Sequence, residues 1–175
     1  AGSAKPAAPG STFRLFFLNS KFVGLVPPFS GFFYAMLSHY GLHALHLHPN
    51  SVLLLSIFAF YCEAFVGVMP SVALLRHFFY LRDKDGHCSG CANFVAANRT
   101  NAILKVGKKA EGFRNKWVLM DAKSPYPWLS LPTGMPSSDE SWLSAKLSDP
   151  RVKHVLEKMA VDLNLDDLRV QKLTG

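Results

Sequence analysis

Acidic residues are almost missing from the first half of this sequence: residues 1–82 carry five Lys and Arg but one acid, Glu63. Charge is scarce overall, at 18% of residues, while 49% are hydrophobic. That balance excludes a largely disordered chain, which has few apolar and many charged residues. Cysteine is sparse too. Cys62, Cys88 and Cys91 make an odd count, and Cys62 lies in an apolar run. A disulfide framework is therefore excluded, and a reducing intracellular compartment is expected. Catalytic signatures are also missing: the sequence has no phosphate-binding glycine loop, no G-x-S-x-G and no H-E-x-x-H. Glu63 has no nucleophile or second carboxylate at a useful spacing. The adjacent Asp166 and Asp167 belong to a helix start, where they favour the dipole. The expectation is a folded, non-catalytic module with no cofactor and no small-molecule substrate.

What is present is a net charge of +7, concentrated before residue 124. Residues 83–123 hold eight Lys and Arg against four acids, whereas residues 124–175 hold six against seven. Such a surface attracts nucleic acid or anionic lipid, or it serves solubility alone. The first eleven residues, AGSAKPAAPGS, have no periodic apolar pattern and read as a flexible linker. No apolar core follows Lys5, so no signal peptide is expected.

The longest apolar run, Val52 to Leu75, is long enough to span a bilayer. Glu63 sits near its middle, at an insertion cost of about 3 kcal/mol, and Gly67 and Pro70 divide it. A buried core helix is the expectation and a membrane span the alternative. Ser56 and Glu63, two turns apart, share one face of that helix.

The expected fold class is α+β, predominantly α. An N-terminal helical core covers about 28–80, a small antiparallel sheet about 92–121, and C-terminal helices about 138–173. In domain terms, 1–11 is the linker, 12–125 the main domain, 126–137 a proline-rich loop and 138–175 a helical segment packing on the domain. Phe33, Met36, Leu37 and Tyr40 fall on one face of a helix that Gly41 stops. Asn50 or Ser51 caps the central helix, which ends near Gly67, and Ser71 caps another that runs to about Tyr80. Residues 83–91 read as a polar loop. Residues 92–98, 102–106 and 116–121 read as strands, with Asn98 to Asn101 as a turn. Ser137 and Glu140 have capping-box spacing. Asp149-Pro150 opens a helix whose apolar face carries Val152, Val155, Leu156 and Met159.

Three clusters carry candidate chemistry. His39, His43, His46 and His48 invite a metal reading, but Gly41 interrupts the first pair and no acid lies in the stretch to orient a ligand. His87, Cys88 and Cys91 offer half a zinc site, and the other half is missing; these are weak metal candidates. The best candidate is basic: Arg99, Lys105, Lys108, Lys109, Arg114 and Lys116, interleaved with Phe113 and Trp117. Phosphate contact plus base stacking suits that pattern, as does a lysine-protected hairpin edge. Glu63 is expected to be a buried structural charge, paired with Arg76 or a histidine.

The segment PPFSGFFYAMLSHYGLHALHLHPNSVLLLSIFAFYCEAFVGVMPSVALLRHFFYLR, residues 27–82, resembles the gypsy-type transposon domain of plant retroelement proteins. The pieces that carry the resemblance are the Tyr40-Gly41 helix end, HLHPNS at 46–51, YCEAFVGVMP at 61–70 and the stretch from Leu75 to Phe79. GFRNKWVLMD at 112–121 is similar to a strand of that family, with Phe113 in place of the usual Trp and Val118 in place of an aromatic residue. The resemblance covers roughly 13–125 and is strongest over 46–80. It implies a gag-like module that assembles with itself and packages nucleic acid. It implies no catalytic residues, and the absent zinc knuckle counts against packaging. A host-encoded protein-interaction domain of the same descent is the alternative, with 13–34 as its apolar surface.

Overall fold

The computed structural model describes residues 12–84, 90–97, 112–123, 127–148 and 150–155. Phe13–Phe17, an aromatic and branched run, is strand β1, and Leu18–Phe22 forms the short helix α1. Helix α2 spans Gly31–Tyr40; the Ser30 hydroxyl accepts the Phe33 N–H at 3.2 Å. It stops where Gly41 turns left-handed at φ 60°, a conformation that costs glycine nothing. Phe33, Met36, Leu37 and Tyr40 are all buried, the face the spacing predicts.

Helix α3, Pro49–Tyr61, continues through a π-helical turn, Cys62–Val66, to a left-handed Gly67. Its cap is His48, whose Nδ1 accepts the Asn50 N–H at 3.1 Å, and neither Asn50 nor Ser51 does that job. Val52, Leu55, Phe58 and Cys62 face the core, while Ser56 and Glu63 share the solvent face. The expected buried charge at Glu63 is thus corrected: two helical turns return position 63 to the same open face as Ser56, where a carboxylate needs no partner. Arg76 instead donates from Nη2 to the Leu143 carbonyl at 3.3 Å.

Helix α4, Val72–Phe78, starts on the predicted cap: the Ser71 hydroxyl accepts the Leu74 N–H at 3.2 Å. It ends before the expected Tyr80 because the backbone turns extended at Phe79, φ −136°. Phe79–Lys84 is then strand β2, which takes in the first two residues of the expected loop at 83–91. Strand β3, Cys91–Ala96, pairs antiparallel with β2 from Phe79↔Ala96 to Lys84↔Cys91. Strand β4, Trp117–Asp121, pairs antiparallel with β1 from Phe13↔Asp121 to Phe17↔Trp117. So the sheet expected within 92–121 is two separate ribbons, each closed by an upstream partner. The strand expected at 102–106 and the turn at 98–101 lie outside the described residues.

Ser51 ties α3 to β3. Its buried hydroxyl donates to Asn93 Oδ1 at 3.0 Å and accepts the Phe94 N–H at 3.1 Å. The neighbouring His48 N–H donates to the Ala92 carbonyl at 3.1 Å. Ser51→Ala strands the Phe94 N–H in the interior, an expected loss of about 1–3 kcal/mol in equilibrium denaturation. An unchanged denaturation midpoint would contradict this account of the junction.

Residues 127–148 cross the helices with two single 3-10 turns, Pro127–Leu129 and Glu140–Trp142, which sink Leu129 and Trp142 into the core at 2% exposure each. The helix expected from 138 is therefore one turn in its described part. Asp139, not a Ser137–Glu140 pair, caps it by accepting the Ser141 N–H at 2.7 Å. A last described helix, α5 (residues 150–155), buries Val152 and Val155 as their spacing predicts. Leu156, Met159 and the rest of the expected C-terminal helices lie outside the described residues.

Candidate functional sites

The register of β1 and β4 sorts their side chains by face. Phe13, Leu15 and Phe17 lie opposite Asp121, Leu119 and Trp117, and directly paired residues share a face. Phe16 and Met120, on the other face, are buried. The outer face keeps Phe13 49%, Leu119 50% and Trp117 38% exposed. It is an apolar and aromatic strip with Asp121 at its far corner.

A 3-10 turn, Phe113–Asn115, delivers the chain into β4. Phe113 points inward at 2% exposure, its ring edge-on to Phe17 at 5.0 Å and to His48 at 4.9 Å. It is a packing residue that supports the base of the ribbon, and its face is not offered to solvent. Arg114 and Lys116 are exposed beside Trp117. Arg114 reaches Cys91 Sγ from Nη2 at 3.1 Å, while the Lys116 carbonyl accepts the Leu18 N–H at 2.9 Å. Of the basic and aromatic candidates, the structure therefore gathers Arg114, Lys116 and Trp117 at one ribbon end. Arg99, Lys105, Lys108 and Lys109 lie outside the described residues. Phe13 and Leu119 were missed, although strand alternation was their available signal.

Cys91 is buried at 1% exposure, and His87 and Cys88 lie outside the described residues. Among the described residues no group of three His, Cys, Asp or Glu side chains is placed to hold a metal ion. The four clustered histidines have other work. His48 caps α3. His46 accepts the His43 N–H at Nδ1, 3.2 Å, and donates from Nε2 to the Gly134 carbonyl, 3.1 Å. His43 donates from Nδ1 to the Ser130 carbonyl at 3.1 Å. His39 stands edge-on to Tyr40.

His39, His43 and His46 line a polar groove of about 480 Å³, whose far wall is formed by residues 132–137 and Asp139. Burial holds His39 below the ordinary imidazole value; the nearby Arg76 adds to this, and Asp139 pulls the other way. Burial likewise holds His46 down. Tyr40, in the same wall, is pushed up to about 12 by burial, and the Cys62 thiol on α3 is pushed up to about 11 by burial and then by Glu63. Both stay protonated at neutral pH, so neither is an activated nucleophile. His46 acts here as a hydrogen-bonding group, whereas the buried Tyr40 hydroxyl meets no partner among the described residues.

A second exposed cluster lies at the end of α3. Phe60 is 61% and Phe65 54% exposed, with ring centroids 5.7 Å apart, and Met69 is exposed nearby in sequence. Tyr61 stacks on Phe65 at 5.6 Å. Pro49–Val66 is the one described helix long and apolar enough to cross a membrane, with 44% of that window buried.

Fold and sites together define an α+β domain whose exposed chemistry is aromatic and basic. Residues 15–83 match the sequence model of the family described as "Putative gypsy type transposon", a match that supports a transposon-derived protein. No curated protein and no solved structure matches the chain.

Proposed function

We propose that the chain is a non-catalytic, gag-like structural module of a plant gypsy-type element, working inside the cell by contact with single-stranded nucleic acid and by self-association. The observation that supports this most is the outer face of the β1–β4 ribbon, where Phe13, Leu119 and Trp117 lie exposed, with Arg114 and Lys116 also exposed at the Trp117 end. Aromatic faces stack on bases regardless of sequence, and flanking cations neutralise the backbone. The net charge of +7 adds long-range attraction.

Fluorescence anisotropy with a mixed-sequence single-stranded RNA, paired with light scattering at low and high salt, tests the reading. Binding should weaken with salt, the logarithmic slope changing by about 0.7 for each phosphate contacted. A monomer that ignores RNA at low salt would overturn it. The second reading is a transposon-derived protein-interaction domain, favoured by the exposed Phe60, Phe65 and Met69. Capture of a defined protein by a chain indifferent to nucleic acid would move the weight there.

A further inference from the structure

We propose that residues 127–148 are a strap, held against the helical core by neutral histidines and released by mild acidification. The fastenings recur along the whole segment. His43 on the core donates to Ser130 and His46 to Gly134. Near the strap's other end, His77 Nδ1 on α4 accepts the Leu147 N–H at 3.0 Å. Beside it, the Ala145 N–H donates to the Arg76 carbonyl at 3.0 Å and Arg76 Nη2 to the Leu143 carbonyl.

Two of these rings work only while neutral. A proton on His77 Nδ1 would confront the Leu147 N–H, replacing an acceptor with a second donor. A proton on His46 Nδ1 would confront the His43 N–H in the same way and loosen the turn that presents His46 to Gly134. The surrounding charges do not favour imidazolium. His39 faces Arg76 from α4 and Asp139 from the strap, and burial with Arg76 outweighs the carboxylate. Burial holds His46 down against the opposing pull of its bond to the Gly134 carbonyl, His43 adds to the lowering, and burial alone holds His77 down.

The sign follows. His77 binds a proton less readily closed than open, because in the closed state its Nδ1 accepts the Leu147 N–H and burial holds the ring down. The closed state is therefore fully favoured above about pH 6.5, and that advantage is lost as pH falls below it. What the strap gives up on release is its apolar seat: Leu129 and Trp142 leave positions only 2% exposed. Local opening of this kind draws on a segment with little regular structure and many single contacts.

Two of the three tryptophans, Trp128 and Trp142, ride on the strap. In a Trp117→Phe background they report on it alone. Acrylamide quenching is read at about pH 7.5 and about pH 5.5, either side of the ordinary imidazole value, with far-UV circular dichroism followed in parallel. The expected result is a severalfold rise in quenching at the lower pH with the helical signal retained. His77→Asn places an amide oxygen where Nδ1 accepts and cannot titrate, so it should keep the strap shielded at the lower pH. His46→Gln, which keeps a donor for Gly134, gives a second reading should the first variant fail to fold. Quenching that is flat with pH, quenching that rises only together with helix loss, or variants that open as the parent does would each overturn the strap.

Discussion

Replacing Phe58 with alanine is expected to cost about 3–5 kcal/mol of stability. The ring is 2% exposed in the middle of α3, with Phe32 of α2 at 5.9 Å and Phe79 of β2 at 6.1 Å. It is the side chain on which two helices and the β2–β3 ribbon meet. Truncation removes the transfer energy of the ring and leaves a cavity that three elements would have to shift together to close. Since small domains hold only about 5–15 kcal/mol in total, the variant should unfold at a much lower denaturant concentration. Ser56→Ala, two positions away on the solvent face, should change stability by less than about 0.5 kcal/mol. A Phe58→Ala loss as small as that of Ser56→Ala would mean that this part of the core is not close-packed.

Trp117→Ala should weaken binding to single-stranded RNA by about 5- to 150-fold, the worth of one base stacked on an aromatic ring. The indole pairs across the ribbon with Phe17, whose ring meets the buried Phe113 edge-on. Its loss should lower affinity at every salt concentration and leave the salt dependence intact. Lys116→Ala should do the opposite, reducing the logarithmic salt slope by about 0.7 with a smaller loss at high salt. Both residues are exposed, so thermal unfolding should move little in either variant. Equal salt slopes in all three proteins, or a Trp117→Ala protein that binds as the parent does, would remove the ribbon from the proposed interface.

Local signals in the sequence translated well into structure. The stop at Gly41, the cap at Ser71, the end of α3 at Gly67 and the apolar faces of α2 and α5 all rest on contacts a few residues apart. Readings that depended on distant partners did not translate. Nothing near Val118 announces that β4 will pair with β1, and nothing near Phe94 announces β2. Phe79 and Tyr80 carry on an apolar helical run without a breaker, so the switch to strand there is dictated by β3 rather than by local preference. The candidate site was legible by composition and not by side. Phe113 and Trp117 look alike in a basic, aromatic stretch, yet one is buried and the other exposed. The histidines misled for a related reason, because the carbonyls that satisfy His43 and His46 lie almost ninety residues on, at Ser130 and Gly134.

The two ribbons also bear on where this protein can be cut. The segment that matches the transposon family, 15–83, contains nearly all of β1 and β2 but neither β3 nor β4. A fragment trimmed to the recognisable segment would hold two strands and no sheet, with Phe16 and Leu81 stripped of the neighbours that cover them. The segment that matches the family model and the segment that closes both ribbons therefore have different borders. On the ribosome the same geometry sets an order. The β2–β3 ribbon can close soon after its residues emerge, while β1 stays unpaired until Trp117 to Asp121 have been made, a long-range closure of the kind that slows folding.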